Sequence, residues 1–111
     1  MTSDVFVDHL RGHRPLALDG ERAFYSVVTR AELFAGRQTD EALVSRLLES
    51  FGEVPVERSI AELAGRLRRR HAISLPDALI AATALQRDLA VVSRNRRDFD
   101  RVPGLAIDAS R

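Results

Sequence analysis

Short β-branched or aromatic runs alternate along this chain with stretches whose apolar residues recur every three or four positions. That alternation restricts the fold more than any other feature. Residues 23–28 (Ala-Phe-Tyr-Ser-Val-Val), bounded by polar neighbours, read as a buried strand, and 89–92 as another. Segments 54–56 and 105–107 read as short strands, the first held to a sheet edge or strand end by Pro55. Between these, Thr29 opens a helix that Gly36 ends or interrupts. Residues 40–50 place Leu43, Val44, Leu47 and Leu48 at helical spacing before Gly52. Ser59 caps a helix with Ile60, Leu63, Ala64 and Leu67 on its inner stripe, and Ser74 caps one carrying Ala78, Leu79, Ala82 and Leu85. Ahead of all these, residues 5–10 read as a helix with Ser3 or Asp4 as N-cap and Gly12 as its stop, and 13–20, with Pro15 and Asp19-Gly20, as a loop. Strands alternating with helices predict an α/β fold: a parallel sheet covered on both faces in a three-layer sandwich. The 111 residues suffice for one domain, residues 1–111, and not for two separate cores.

A fold of this kind usually begins with a strand, whereas this sequence begins at a helix cap. The expectation is that the first strand lies elsewhere or that the N-terminus is cut short. The start has no basic region and no long apolar run, which argues against a signal peptide, and no stretch approaches the roughly 20 apolar residues of a membrane span. The absence of cysteine excludes a disulfide scaffold, a thiolate zinc site and a cysteine nucleophile, and is compatible with a cytoplasmic location.

The net charge is only +1, but its distribution is uneven. All 17 basic residues are arginine, and from Arg66 to Arg101 nine arginines face four acids (Asp77, Asp88, Asp98 and Asp100), 9 − 4 = +5. Arginine grips phosphate through a planar fork, so a polyanionic partner is one explanation; arginine replacing lysine on solvated helix faces is the other.

The acids fall where such folds bind ligands. In open α/β sheets ligands collect at the carboxyl ends of strands, where helices begin. Glu32 lies just after the 23–28 run, Asp77 at the start of the Ser74-capped helix, Asp98 with Asn95 just after the 89–92 run, and Asp4 at the start of the first helix. Capping explains part of this. Thr29-x-x-Glu32, Ser59-x-x-Glu62 and Ser74-x-x-Asp77 all fit the capping box, in which the acid satisfies a free backbone N–H. Alternatively, several carboxylates converge on one point, where they repel unless a cation such as Mg²⁺ or Mn²⁺ lies among them. The two roles are compatible.

Segments 27–36 (Val-Val-Thr-Arg-Ala-Glu-Leu-Phe-Ala-Gly), 74–84 (Ser-Leu-Pro-Asp-Ala-Leu-Ile-Ala-Ala-Thr-Ala) and 92–99 (Val-Ser-Arg-Asn-Arg-Arg-Asp-Phe) resemble PIN-domain toxins of the VapC type. Residues 4–12 resemble the first helix of that family. The resemblance covers nearly the whole chain in the family's order. It implies a PIN-like α/β/α sandwich and a Mg²⁺- or Mn²⁺-dependent endoribonuclease, blocked by a cognate VapB-like antitoxin and assembled as a homodimer. Glu32 and Asp77 match the second and third acidic positions; Asn95 and Asp98 occupy the variable fourth region, where Asp98 is the favoured acid. The first acidic position falls at Thr2, and the strand expected before it is absent, which leaves Asp4 as the acid available in its place. The metal and catalytic set implied is therefore Asp4, Glu32, Asp77 and Asp98.

Other residues have two readings each. Arg94, Asn95, Arg96 and Arg97 grip RNA phosphates or form a solvated loop. Thr29 and Ser93 hold a metal-bound water or cap backbone. Arg66, Arg68, Arg69 and Arg70 end a helix, where cations suit its dipole. His9, His13 and His71 have no metal-like spacing. Phe34 and the 43–48 apolar face meet either a partner chain or the core. Two rival functions stand beside the nuclease: a catalytically inactive, truncated module that binds antitoxin or RNA, and another metal-dependent phosphoryl-transfer enzyme such as a phosphatase.

Overall fold

The computed structural model describes residues 16–19, 22–92 and 99–108. The helix expected at 5–10 lies outside them. In chain order the elements are β1 (Leu16–Asp19), β2 (Arg22–Ser26), α1 (Val27–Phe34), α2 (Glu41–Leu48), β3 (Gly52–Val54), α3 (Arg58–Arg70), α4 (Leu75–Arg87), β4 (Ala90–Val92) and β5 (Ile107–Asp108). The strands form one sheet in the order β3-β2-β1-β4-β5.

Two pairs of strands are parallel, β2 with β3 and β4 with β5, and each is joined through a long crossover. β1 corrects the loop expected at 13–20. It lies at the centre of the sheet, antiparallel to β2 with Asp19 opposite Arg22, and antiparallel to β4 with Leu16 opposite Val92. The reason is chain length: a parallel connection needs about a dozen residues, whereas two separate β1 from β2. The two connecting residues are Gly20 and Glu21, and Gly-X between two apolar runs is a two-residue hairpin pattern. The other four strands all point the same way, so their carboxyl ends share one edge of the sheet.

Side chains on successive strand residues face opposite sides. Accordingly, Phe24 packs with the cluster built on α3 and α4, which includes Ile60, Ala64, Ile80, Val91 and Phe99. Tyr25 packs with Leu33, Val44 and Leu48 of α1 and α2, against which Phe34, Leu47 and Phe51 are half-buried. The sheet thus separates two helical layers, and the apolar side of α2 joins this second core. α4 is buried nearly all round, through Ala78, Ile80, Ala81, Ala82, Thr83 and Ala84, and packs on α3, β2, β4 and α1. Its many alanines permit that: four small side chains bring neighbouring backbones close on several sides at once.

Two of three helix starts differ from expectation in detail. Ser26, not Thr29, caps α1, accepting from the Val28 N–H at 3.1 Å. α3 begins at Arg58, with Glu57 at the cap position and no side-chain cap, so Ser59 is already inside the helix. Ser74 caps α4 as expected, accepting from the Asp77 N–H at 3.3 Å. None of the described helices is long and apolar enough to cross a membrane.

Candidate active site

Strand direction places the acids. β2 ends at Ser26, and α1 starts from the carboxyl edge of the sheet with Glu32 in its second turn. α4 precedes β4 by two residues and packs along it, so its C-terminus lies at the opposite edge and its N-terminus, with Asp77, returns to the carboxyl edge. Glu32 and Asp77, 45 residues apart in sequence, therefore stand at one edge of one sheet, and both are half-buried.

The cap on α1 decides between two explanations of Glu32. With Ser26 as N-cap, the capping-box acid would belong three residues later, at Thr29. Glu32 lies a turn beyond, so capping does not account for it. The same correction removes the box proposed for Ser59 and Glu62. For Asp77 the box agrees with the Ser74 hydroxyl's bond to its backbone N–H, and the α4 N-terminus suits a negative charge there.

Thr29 shares a helix face with Glu32, because residues three apart are surface neighbours. It is wholly buried, and its hydroxyl oxygen has no hydrogen-bond partner among the described residues. A buried hydroxyl without a partner costs roughly 1–3 kcal/mol, which is tolerated where a water or ion supplies the missing contact.

The rotation of α1 is fixed by a polar triangle spanning three elements. The Tyr25 hydroxyl donates to Glu53 Oε1 at 2.7 Å; Arg30 donates from Nε to the same oxygen at 2.6 Å and from NH2 to the Tyr25 oxygen at 2.8 Å. The guanidinium also lies 5.9 Å from the centre of the Tyr25 ring and 6.0 Å from that of Phe34. Hydrogen bonds from Tyr25 and then Arg30 hold the Glu53 carboxyl below its usual range. Burial, followed by the Glu53 contact, raises the Tyr25 hydroxyl. This triangle escaped the sequence reading, since nothing in the spacing of Tyr25, Arg30 and Glu53 signals it.

Asp4, Arg94, Asn95, Arg96, Arg97 and Asp98 lie outside the described residues, as does Ser93. Among the described residues, no three of His, Cys, Asp or Glu gather to hold a metal ion. The donors at the carboxyl edge are nevertheless all oxygens: two carboxylates and one buried, unpartnered hydroxyl. That chemistry fits a hard divalent cation such as Mg²⁺ or Mn²⁺ and not a soft one. His71 caps the C-terminus of α3 through its backbone N–H to the Leu67 carbonyl and is half-buried.

Comparison with known proteins identifies the family. The PIN domain family model matches residues 4–105. Ribonuclease VapC19 of Mycobacterium tuberculosis is 34% identical over 114 aligned residues, covering 91% of both chains. Ribonuclease VapC10 of the same organism is 42% identical over 106, covering 84% of this chain and 79% of its own. Among solved structures, a chain of a toxin–antitoxin complex from Klebsiella pneumoniae superposes with a TM-score of 0.64 at 32% identity, over 74% of this chain and 70% of that one. With the family match running through both carboxylate-bearing helices and four of the five strands of the sheet, this chain belongs to the PIN-domain family.

Proposed function

We propose that this protein is a VapC-like toxin: a metal-dependent endoribonuclease that hydrolyses RNA phosphodiester bonds and is inhibited by a cognate antitoxin. The observation that carries the reading is Glu32. It is half-buried at the carboxyl edge of the sheet, shares that edge with Asp77, and lies one turn beyond the capping position of α1. The relatives named as ribonucleases and the toxin–antitoxin neighbour support the same reading.

Glu32 and Asp77, with Asp4 and Asp98, would hold Mg²⁺ or Mn²⁺. Once bound, the ion lowers the pKa of a coordinated water and neutralises charge on the phosphate. The chain's own contribution is placement. The Ser74 hydroxyl holds the backbone of Asp77 at the α4 N-terminus, the Tyr25–Arg30–Glu53 triangle fixes the helix bearing Glu32, and the Thr29 hydroxyl offers a hydrogen bond beside it. Arg94, Asn95, Arg96 and Arg97 would bind RNA phosphates. The proposed assembly is a homodimer of single-domain chains bound to the antitoxin in the cytoplasm.

Asp77→Asn tests the reading, because it removes a charge while keeping size and the backbone bond to Ser74. We expect Mn²⁺-dependent cleavage of a structured RNA to fall by at least about a hundredfold, on the order of the loss of one key electrostatic group, with an unchanged circular dichroism spectrum. Undiminished cleavage by the variant would remove Asp77 from the site.

A further inference from the structure

Resting on the ribonuclease reading, we propose that the exposed end of α3, from Gly65 through Arg66, Arg69 and Arg70, is a docking face for the sugar–phosphate backbone of the RNA substrate.

Four of the last five residues of α3 are arginines, Arg66, Arg68, Arg69 and Arg70, and all four are exposed. Among the described residues none of these guanidiniums forms an ion pair or hydrogen bond. A favourable dipole explains one or two cations in the last turn. It does not explain Arg66 a full turn above Arg70, where like charges at i and i+4 repel. Glu62, four residues before Arg66, is the one acid near them on α3, and one carboxylate does not balance four guanidiniums.

Gly65 is an independent sign. It lies inside α3, where glycine is the worst helix former after proline, and a Cβ added there would meet nothing within 4 Å. Among the described residues no side chain or backbone requires the glycine, so packing between them does not explain it. On the helix surface Gly65 adjoins Arg69, four residues on, leaving bare backbone beside a guanidinium fork. Bare backbone permits close approach of a ligand, and the fork matches phosphate oxygens.

Location supplies the third argument. α3 and α4 pack along each other and are joined by four residues, 71–74, so the arginine end of α3 returns to the edge from which α4 and Asp77 start. The exposed Arg101 bonds the Ala72 carbonyl in that turn at 2.5 Å and adds a further guanidinium there. A polyanion lying on Arg66, Arg69 and Arg70 is thereby led to the edge that bears Asp77.

The experiment uses the full chain carrying Asp77→Asn, which removes cleavage, and a fluorescent RNA hairpin, with affinity read by anisotropy between about 50 and 200 mM salt. The added triple change Arg66→Gln, Arg69→Gln, Arg70→Gln is expected to weaken binding at least about tenfold and to lower the slope of log affinity against log salt by about two to three. Gly65→Glu is expected to raise the thermal midpoint, since glutamate is the better helix former, while weakening RNA binding about fivefold or more through charge repulsion. Damage to the fold would move both readouts in one direction. Polyglutamate is expected not to compete for the parent. Unchanged affinity and slope in both variants, with a parent that binds and a wild type that cleaves, overturns the docking face alone. Opposite signs of binding change in the two variants likewise overturn it. A wild type that neither binds nor cleaves RNA overturns the ribonuclease reading and this face with it.

Discussion

At the scale of single residues, the polar triangle shows how a structural contact serves a chemical site without touching it. Glu53 accepts from both Tyr25 and Arg30, and these bonds favour its ionised form, so its folded pKa lies below the unfolded value. Such a group adds stability above the ordinary carboxylate range near pH 4, and that contribution is lost as pH falls through its lowered folded value. Arg30 and Glu53 are more than one-third exposed, so the contribution after solvent screening is roughly 0.5–1 kcal/mol. Glu53→Gln should lower the thermal midpoint at pH 7 by a few degrees and flatten its decline between about pH 5 and 3, as followed by circular dichroism melts. Parallel acid limbs in variant and wild type would remove Glu53 from the account. The capping residues teach a related lesson about legibility. Ser74 was readable because it precedes Pro76 and an acid three residues on, both of which suit a first turn. Ser26 was not, because it lies within an unbroken apolar run, 23–28, and the strand reading absorbed the first two residues of α1. Ser59 resembled a cap yet falls one residue late, since the extended chain after Pro55 ends at Glu57 and the helix begins directly after it.

At the scale of elements, what could be read depended on whether a segment declares itself locally. α2, α3 and α4 have 3.6-residue apolar periods and appear within a few residues of their expected bounds. β1 does not: four residues, Leu-Ala-Leu-Asp, become a strand only because β2 and β4 each offer an unpaired edge to them. Pairing partners are remote information that local pattern lacks. α4 was legible as a helix but not as the buried hub, since its predicted stripe was Ala78, Leu79, Ala82 and Leu85, while the buried set extends through Ile80, Ala81, Thr83 and Ala84. Its burial gives an element-scale prediction. Ala82 is completely buried in the core cluster built on α3 and α4. Ala82→Leu adds three carbons where no partner can retreat, and should destabilise by about 1–3 kcal/mol in urea melts at unchanged m-value. It should also weaken cleavage, because displacing α4 displaces Asp77. A variant with full stability would mean that α4 packs more loosely than its neighbours imply.

At the scale of the whole molecule, the fold brings to one edge acids that the chain keeps far apart: Glu32 and Asp77 in the described residues, with Asp4 and Asp98 assigned to the same set by resemblance. Neither pairing nor spacing links those positions in the unfolded chain, so an ion that needs several of them binds the folded state selectively. Selective binding to the folded state stabilises it by RT ln(1 + [L]/Kd), about 2.7 kcal/mol at a hundredfold excess over Kd. Without the ion, gathered carboxylates repel each other, and removing one charge should relieve that strain. The two effects give opposite expectations for one variant. In EDTA, Asp77→Asn should melt at or above the wild-type midpoint. With saturating Mn²⁺, the wild type should rise by several degrees and overtake it, while the variant moves little. Differential scanning fluorimetry of both proteins with and without Mn²⁺ reads this crossing directly. It does not depend on activity, so it separates ion binding from RNA chemistry. Equal Mn²⁺ shifts in the two proteins would place the ion away from Asp77, and the metal assignment would then pass to acids elsewhere in the chain.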